Sequence, residues 1–149
     1  MILSDFKVFP RVGRLIGIDW GARRTGVAVS DETREFVFVR PPIVSNGSSE
    51  LVHAVADLVM AEKVVGIVVG VPLRTDGSES DTTAMVRTFA DALAGTVDVP
   101  IVFIDETLSS TTAQEEMGRV RRADIKKELD SNAARVILEN AISLIKRFN

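Results

Sequence analysis

Residues 64–70 form an apolar, β-branched run that constrains the fold of this chain more than any other segment. The run reads Val-Val-Gly-Ile-Val-Val-Gly and contains no polar side chain. Such a segment is typical of a central strand of a parallel sheet, because both of its faces must be covered by other elements. The sequence therefore predicts an α/β fold with helices on both faces of a sheet.

Apolar spacing elsewhere predicts the order of elements around that strand. Short apolar runs indicate three strands before it and one after it, and stripes of apolar residues three and four apart indicate helices. The result is a mixed five-stranded sheet, with three antiparallel strands followed by alternating helix and strand. The predicted strands are 14–20, 24–31, 35–40, 64–70 and 101–104, and the predicted helices begin near 48 and span about 79–94, 107–118 and 131–147.

Two local features refine this topology. Pro41-Pro42 either stops the third strand or confines its end to a sheet edge, because proline donates no hydrogen bond to a neighbouring strand. His53, the one histidine, falls opposite the apolar stripe of its helix. We therefore expect it to face solvent and not to act as a catalytic base.

Length and composition bound the class of protein. The 149 residues, 46% hydrophobic and 26% charged, suit a single folded domain over 1–149. The absence of cysteine excludes disulfides and cysteine metal sites and is compatible with a reducing cytoplasm, the location we expect. No apolar run approaches the roughly 20 residues that span a bilayer, so we expect no membrane association.

The overall charge is slightly acidic, so contact with nucleic acid would require local basic patches. The net charge is −3, from 18 basic and 21 acidic residues. Arg23-Arg24 form a short basic patch soon after Asp19. A longer patch holds five basic residues in nine: Arg119, Arg121, Arg122, Lys126 and Lys127. Each of the two patches by itself also fits an ordinary solvated surface.

Asp19 occupies a costly position for a carboxylate. It interrupts an apolar strand and precedes a turn at Gly21. Burying a carboxylate without a cation or hydrogen bonds costs free energy, so an acid that binds Mg²⁺ or Mn²⁺ through its oxygens has a reason to be there. A strand-end residue that caps the turn with its side chain explains Asp19 equally well.

Glu106 and Asp130 stand at comparable positions. Glu106 follows the strand 101–104, and functional groups gather at the carboxyl ends of strands in open sheets. Asp130 lies four residues before Ala134 on the apolar stripe of the last helix, although Asp-Ser-Asn at 130–132 fits a helix N-cap equally well.

Three acids that converge would need a cation. If the strands 14–20 and 101–104 are neighbours, Asp19, Glu106 and Asp130 can meet at one point, where their charges would repel. A pair of Mg²⁺ or Mn²⁺ ions would offset that repulsion and promote hydrolysis of a phosphodiester.

Competing chemistries have less support. The chain has no cysteine and no tyrosine, and its one histidine is misplaced, which argues against zinc clusters and a Ser-His-Asp triad. No G-x-x-x-x-G-K-[ST] phosphate loop is present. Main-chain N–H groups of turns could still approach phosphate, or these turns could be plain connections; the positions concerned are Gly21, Gly70, Gly77 and Ser78.

Four motifs, in order along residues 14–147, support a family assignment. They are Gly17-Ile18-Asp19-Trp20-Gly21 with Arg24 and Gly26-Val27-Ala28-Val29-Ser30-Asp31; Val69-Gly70-Val71-Pro72-Leu73 with Asp76-Gly77-Ser78; Asp105-Glu106-Thr107-Leu108-Ser109; and Asp130-Ser131 with Ala133-Ala134 and Ile137-Leu138. Together they resemble the bacterial pre-16S rRNA nuclease family, whose members are also described as Holliday-junction-resolvase-like proteins.

The resemblance implies a ribonuclease H-like fold and a cytoplasmic nuclease that depends on Mg²⁺ or Mn²⁺. The family's metal acids correspond to Asp19, Glu106 and Asp130. The implied role is trimming the 5′ end of the small-subunit ribosomal RNA precursor, with structured RNA as substrate and the ribosome as a possible partner. Basic residues would position the phosphates: Arg23, Arg24, Arg74 and the basic residues of 119–127.

The chain departs from the family pattern at three positions. Thr107 stands where the family commonly has arginine, Ser110 where it has threonine, and Thr25 where it has an aliphatic residue. Threonine cannot replace the bidentate grip of a guanidinium on phosphate. Phosphate binding would then be weaker, or Arg23, Arg24 or Arg74 would supply the missing charge.

Three alternatives accompany the nuclease hypothesis. A four-way-junction endonuclease would act on branched DNA and would need a homodimer rather than a monomer. A catalytically inactive module would bind RNA or a ribosomal partner, as the missing arginine at 107 would allow. A nucleotide binder of the sugar-kinase or actin type also begins with an acid and a glycine turn, but it needs two such domains.

Overall fold

The structure, a computed structural model, describes residues 1–3, 5–71, 81–105 and 122–147, with the backbone alone for Ser48, Asp81 and 122–131. The elements in chain order are β1 (Ile2–Leu3), β2 (Arg14–Asp19), β3 (Arg24–Ser30), β4 (Val37–Val44), α1 (Ser48–Ala61), β5 (Val64–Val71), α2 (Asp81–Ala94), β6 (Ile101–Asp105) and α3 (Arg122–Arg147). The strands form one sheet in the order β1-β6-β5-β2-β3-β4.

The apolar run 64–70 lies in the middle of this sheet, as predicted. β5 pairs in parallel with β2 on one side and with β6 on the other. Seven of its eight residues are buried, because α1 and α2 cover one face of the sheet and α3 covers the other. Helices on both faces are therefore confirmed.

Strand alternation assigns the side chains of β2 to two separate cores. Ile16 and Ile18 belong to the core beneath α1 and α2. Leu15 belongs to the core beneath α3, together with Ala134, Ile137 and Leu138. Odd-numbered positions of β2 therefore lie on the α3 face of the sheet.

The sheet has six strands, and the prediction of five was wrong. The additional strand, β1, contains two residues and pairs in parallel with the start of β6. So short a segment carries no alternation that a sequence pattern could detect. The third predicted strand does not stop at Pro41 but runs through both prolines to Val44. This is possible because β4 is the edge strand and its register to β3 shifts there.

The helices differ from prediction in extent. α1 follows the predicted stripe, and His53 is exposed as expected. The last helix begins at Arg122, nine residues before the predicted start at 131. Asp130 is therefore inside the helix, and the N-cap alternative for it is wrong. The helix predicted over 107–118 lies outside the described residues. No described helix is both long enough and apolar enough to cross a bilayer.

Candidate active site

Three parallel strands end at one edge of the sheet, and acidic residues stand at two of those ends. β2 ends at Asp19, β5 at Val71 and β6 at Asp105. The register aligns these ends, because Ile18 pairs with Val69 and Val71 pairs with Asp105. The ends of β2 and β6 therefore lie at the same end of the sheet, whereas the convergence of Asp19, Glu106 and Asp130 stays a prediction.

β2 and β6 are not adjacent. The convergence of the acids predicted from the sequence was conditional on these two strands being neighbours. β5 lies between them, so their ends are two strand spacings apart, roughly 9–10 Å. Gly70 of β5 pairs with Ile104 and is buried. Since glycine has no side chain, β5 places no side chain between the ends of β2 and β6 at this position.

Asp19 itself is half-buried at the end of a buried strand. Gly17, two residues earlier on the same face, contacts α3 closely: a Cβ there would lie 2.8 Å from the Ala134 carbonyl oxygen and 2.8 Å from the Leu138 Cβ. Alternation places Asp19 on this α3 face as well. The absence of a side chain at Gly17 lets the helix lie directly on β2, next to Asp19.

The turn from β2 to β3 is held by a close backbone approach at Gly21. A Cβ at this position would lie 2.0 Å from the Arg24 carbonyl oxygen. The Thr25 hydroxyl lies 3.4 Å from both the N–H and the carbonyl oxygen of Gly21 and is placed to bond each. Gly21 thus has a structural role in presenting Asp19, and its contact with phosphate stays a prediction.

We expect Gly21→Ala to lower the free energy of unfolding by about 1–3 kcal/mol, because the methyl group forces the turn open. The control is Gly47→Ser, since no atom lies within 4 Å of a Cβ at Gly47 and serine is a good residue before α1. Urea denaturation of both variants measures the difference. Equal stability of the two variants would contradict the proposed role of the close approach.

One of the predicted phosphate-binding residues, Arg23, lies on this turn, and a second, Arg24, is the first residue of β3. Arg23 is exposed and Arg24 is half-buried. The Arg23 carbonyl oxygen accepts the Ser45 N–H at 3.0 Å, which ties the turn to the end of β4. Along the chain, Arg23 and Arg24 are four and five residues after Asp19.

The other predicted site residues are only partly described. Asp130, Arg122, Lys126 and Lys127 are in α3, with the backbone alone described. Among the side chains that the structure describes, no group of three or more His, Cys, Asp or Glu could hold a metal ion. Asp19 is the only one of the three predicted metal ligands whose side chain the structure describes. Outside the described residues are Glu106, Arg74, Gly77, Ser78, Arg119 and Arg121.

Asp31 acquires a structural role that the sequence analysis did not assign. It lies beyond the opposite end of β3 from Arg24, where its carboxylate accepts the Phe36 N–H at 2.9 Å and the Thr33 N–H at 3.3 Å, and also bonds the Thr33 hydroxyl. The bond from the Thr33 hydroxyl, followed by the bond from the Phe36 N–H, lowers the pKa of Asp31. An aspartate two residues before a threonine in a turn is the local signal for this arrangement.

We expect Asp31→Ala to destabilise the protein at neutral pH but not in acid. A carboxylate whose folded-state pKa is lowered stabilises the fold above its unfolded pKa of about 3.9, and this contribution is lost as the pH falls through the folded pKa. Urea midpoints measured from pH 7 down to pH 3 check this. Glu35→Ala, an exposed acid in the same hairpin, is the control. A difference between the Asp31→Ala and parent midpoints that stays constant with pH would contradict the role of the carboxylate.

Comparison with known proteins identifies a family and relatives that match most of the chain. The family model described as "RuvX: Holliday junction resolvase" matches residues 13–144. A protein of Maridesulfovibrio salexigens is 38% identical over 128 residues, covering 85% of this chain and 95% of its own. A protein of Sphingopyxis alaskensis is 38% identical over 146 residues, covering 96% and 95%. Both carry the name "Putative pre-16S rRNA nuclease".

Two solved structures that align with TM-scores above 0.5 are junction resolvases. RuvC of T. thermophilus, in complex with a Holliday junction substrate, aligns with a TM-score of 0.60 at 12% identity, over 91% of this chain and 97% of its own. The yeast mitochondrial Holliday junction resolvase aligns with a TM-score of 0.55 at 13% identity, over 94% and 81%. At these identities the likeness concerns the fold, which is the predicted ribonuclease H-like α/β fold.

Proposed function

Because the chain belongs to the RuvX family, we propose that it is a nuclease that hydrolyses phosphodiester bonds of the 16S ribosomal RNA precursor during processing of its 5′ end. Relatives that are 38% identical over most of both chains are named for this role. We further propose that it acts in the cytoplasm, as a monomer or homodimer, in association with ribosomal precursors.

The observation that carries the proposal is the placement of Asp19 at the shared end of three parallel strands, on the face that α3 covers. Alternation along β6 extends this argument. Val102 and Ile104 belong with the core beneath α3, whereas Ile101 and Phe103 belong with the opposite core. Glu106 is the next even-numbered residue after β6, which favours Glu106 over Asp105 as the partner of Asp19.

The position of Asp130 in α3 supports its assignment as a third metal ligand beside Asp19 and Glu106. Asp130 is four residues before Ala134, whose carbonyl oxygen approaches Gly17. Four residues of helix advance about 6 Å, and the two residues from Gly17 to Asp19 advance about 6.6 Å along the strand. If α3 runs antiparallel to β2, Asp130 therefore lies level with Asp19.

The chemistry of this donor set fits Mg²⁺ or Mn²⁺, because carboxylate oxygens are the ligands that these hard cations prefer. We propose that Asp19, Glu106 and Asp130 would hold these ions. The bound ions would supply charge to polarise the phosphodiester and to activate a water molecule.

Basic residues of the chain would hold the flanking phosphates. Arg23 lies on the turn after Asp19, and Arg24 is the first residue of β3. Arg74 and the basic residues of 119–127 would add contacts from neighbouring segments. Contacts of this kind position a strand without reading its sequence.

Cleavage of branched DNA is the second candidate, and the likeness of the fold to RuvC favours it. A junction resolvase would need two copies of the site about a two-fold axis. A catalytically inactive RNA-binding module is the third candidate, since Thr107 replaces the arginine expected there.

One assay separates these three functions. The purified protein is incubated with precursor 16S RNA and with a four-way DNA junction, each with Mg²⁺, with Mn²⁺ and with chelator. We expect metal-dependent cleavage of the RNA and little cleavage of the junction. Preferential cutting of the junction would establish the resolvase function instead, and tight RNA binding without cleavage in either metal would establish the inactive module.

A further inference from the structure

A cleft of about 410 Å³ lies between the β2–β3 turn and α2. Trp20 and Ala22 line it from the turn, and Ala84, Met85 and Thr88 line it from the helix. None of these described lining side chains is charged. A cleft of this size can hold a small aromatic ligand.

The helix side of the cleft is solvent-facing but apolar. Ala84, Met85 and Thr88 are all exposed, and Met85 keeps 55% of its surface accessible. Their spacing places them on one face of α2. The indole of Trp20 is half-buried against the core beneath α1 and α2, which fixes the ring as one wall. A rigid indole opposite a polarizable thioether favours a flat aromatic ligand.

The cleft lies at the same end of the sheet as Asp19 but on the opposite face. Trp20 follows Asp19 in the chain, and alternation directs the Trp20 side chain towards α1 and α2 and the Asp19 side chain towards α3. A single strand that crosses the end of β2 can therefore contact both residues. Arg23, exposed and next to Ala22, supplies a cation for a backbone phosphate at the rim.

We propose that this cleft binds an unpaired nucleobase of the substrate strand, stacked on Trp20, at the same end of the sheet as the phosphate that is cleaved. The inference rests on the proposed nuclease function. It explains why an aromatic ring and an uncharged helix face remain accessible there: single strands are held by stacking of bases on aromatic side chains together with basic contacts to phosphate.

The fluorescence of Trp20 reports whether the cleft is occupied, because Trp20 is the one tryptophan in a chain without tyrosine. The protein is titrated with a short oligouridylate and a matching oligodeoxyuridylate, with chelator present so that no cleavage occurs. We expect saturable quenching of the tryptophan fluorescence, while double-stranded RNA of equal length gives little. The ratio of the two affinities then shows whether the sugar is recognised as RNA or as DNA.

Two methionine variants test the location. Met85→Glu places a negative charge at the mouth of the cleft and should weaken the quenching titration about tenfold, a loss in the range of one stacked base. The matched control is Met60→Glu, at another exposed methionine, 78% accessible on α1, and it should bind as the parent does. Trp20→Ala should weaken binding to a similar degree, measured with labelled oligonucleotide, and Trp20→Phe should restore most of it.

Binding of the labelled oligonucleotide without quenching, or equal losses in Met85→Glu and Met60→Glu, would overturn the inference. Saturable quenching by a peptide of a ribosomal protein but not by either oligonucleotide would also overturn it, and would identify the cleft as a protein-docking site. The two proposals can fail separately. Cleavage of RNA without quenching refutes only the binding of a nucleobase in the cleft, and quenching without cleavage refutes only the nuclease function.

Discussion

Replacing Asp19 with asparagine (Asp19→Asn) is expected to lower the rate of RNA cleavage by about 100-fold to 10,000-fold. Asparagine has nearly the same shape, but it lacks the negative charge that would hold two divalent ions, and their loss removes several kcal/mol of transition-state stabilisation. Single-turnover rates at saturating Mg²⁺ and Mn²⁺ measure the effect. Because Asp19 is half-buried at the end of β2, thermal melting of the variant checks that its fold is retained.

The matched control is Asp105→Asn, at the other described strand-end acid. Asp105 stands at the end of β6 on an odd-numbered position, with Ile101 and Phe103. Alternation assigns it to the face away from α3, so its variant should keep its cleavage rate within about threefold of the parent. Glu106→Gln, in contrast, should behave like Asp19→Asn. A large loss in Asp105→Asn with a normal rate in Glu106→Gln would refute the proposed ligand set.

Replacing Gly17 with valine (Gly17→Val) is expected to lower both stability and activity. A Cβ at Gly17 would meet the Ala134 carbonyl oxygen and the Leu138 Cβ at 2.8 Å each, so α3 must move away from β2. Overpacking of this kind costs about 1–3 kcal/mol or more, roughly 3–10 °C in Tm for a chain of this size. Since α3 also contains Asp130, displacement of the helix should raise the Mg²⁺ concentration needed for cleavage.

Gly17→Ala gives a graded test, with a smaller shift in the same direction. Gly95→Ala is the control, because a Cβ there would meet its nearest neighbour, the Ala92 carbonyl oxygen, at an ordinary 3.6 Å. The control should be neutral or more stable by up to about 1 kcal/mol, since alanine restricts the unfolded chain. Differential scanning calorimetry of the three variants checks the order. Equal melting temperatures for Gly17→Val and Gly95→Ala would contradict the close packing of α3 on β2.

The sequence by itself determined five of the six strands and the acidic residues that stand at the ends of β2 and β6. The apolar run 64–70, the acid at 19 and the exposed position of His53 all follow from local periodicity, because alternation and helical spacing are properties of adjacent residues. The resemblance of the motifs to a known family added the substrate class, which spacing could not supply.

Only the tertiary structure decided which strands are neighbours and how closely α3 approaches them. β5 separates β2 from β6, so the ends of β2 and β6 are not adjacent, contrary to the arrangement that the sequence analysis considered. The two-residue strand β1 and the role of Gly17 could not be predicted from the sequence either. Strand order, register and helix docking depend on contacts between residues far apart in the chain, and no local pattern encodes them.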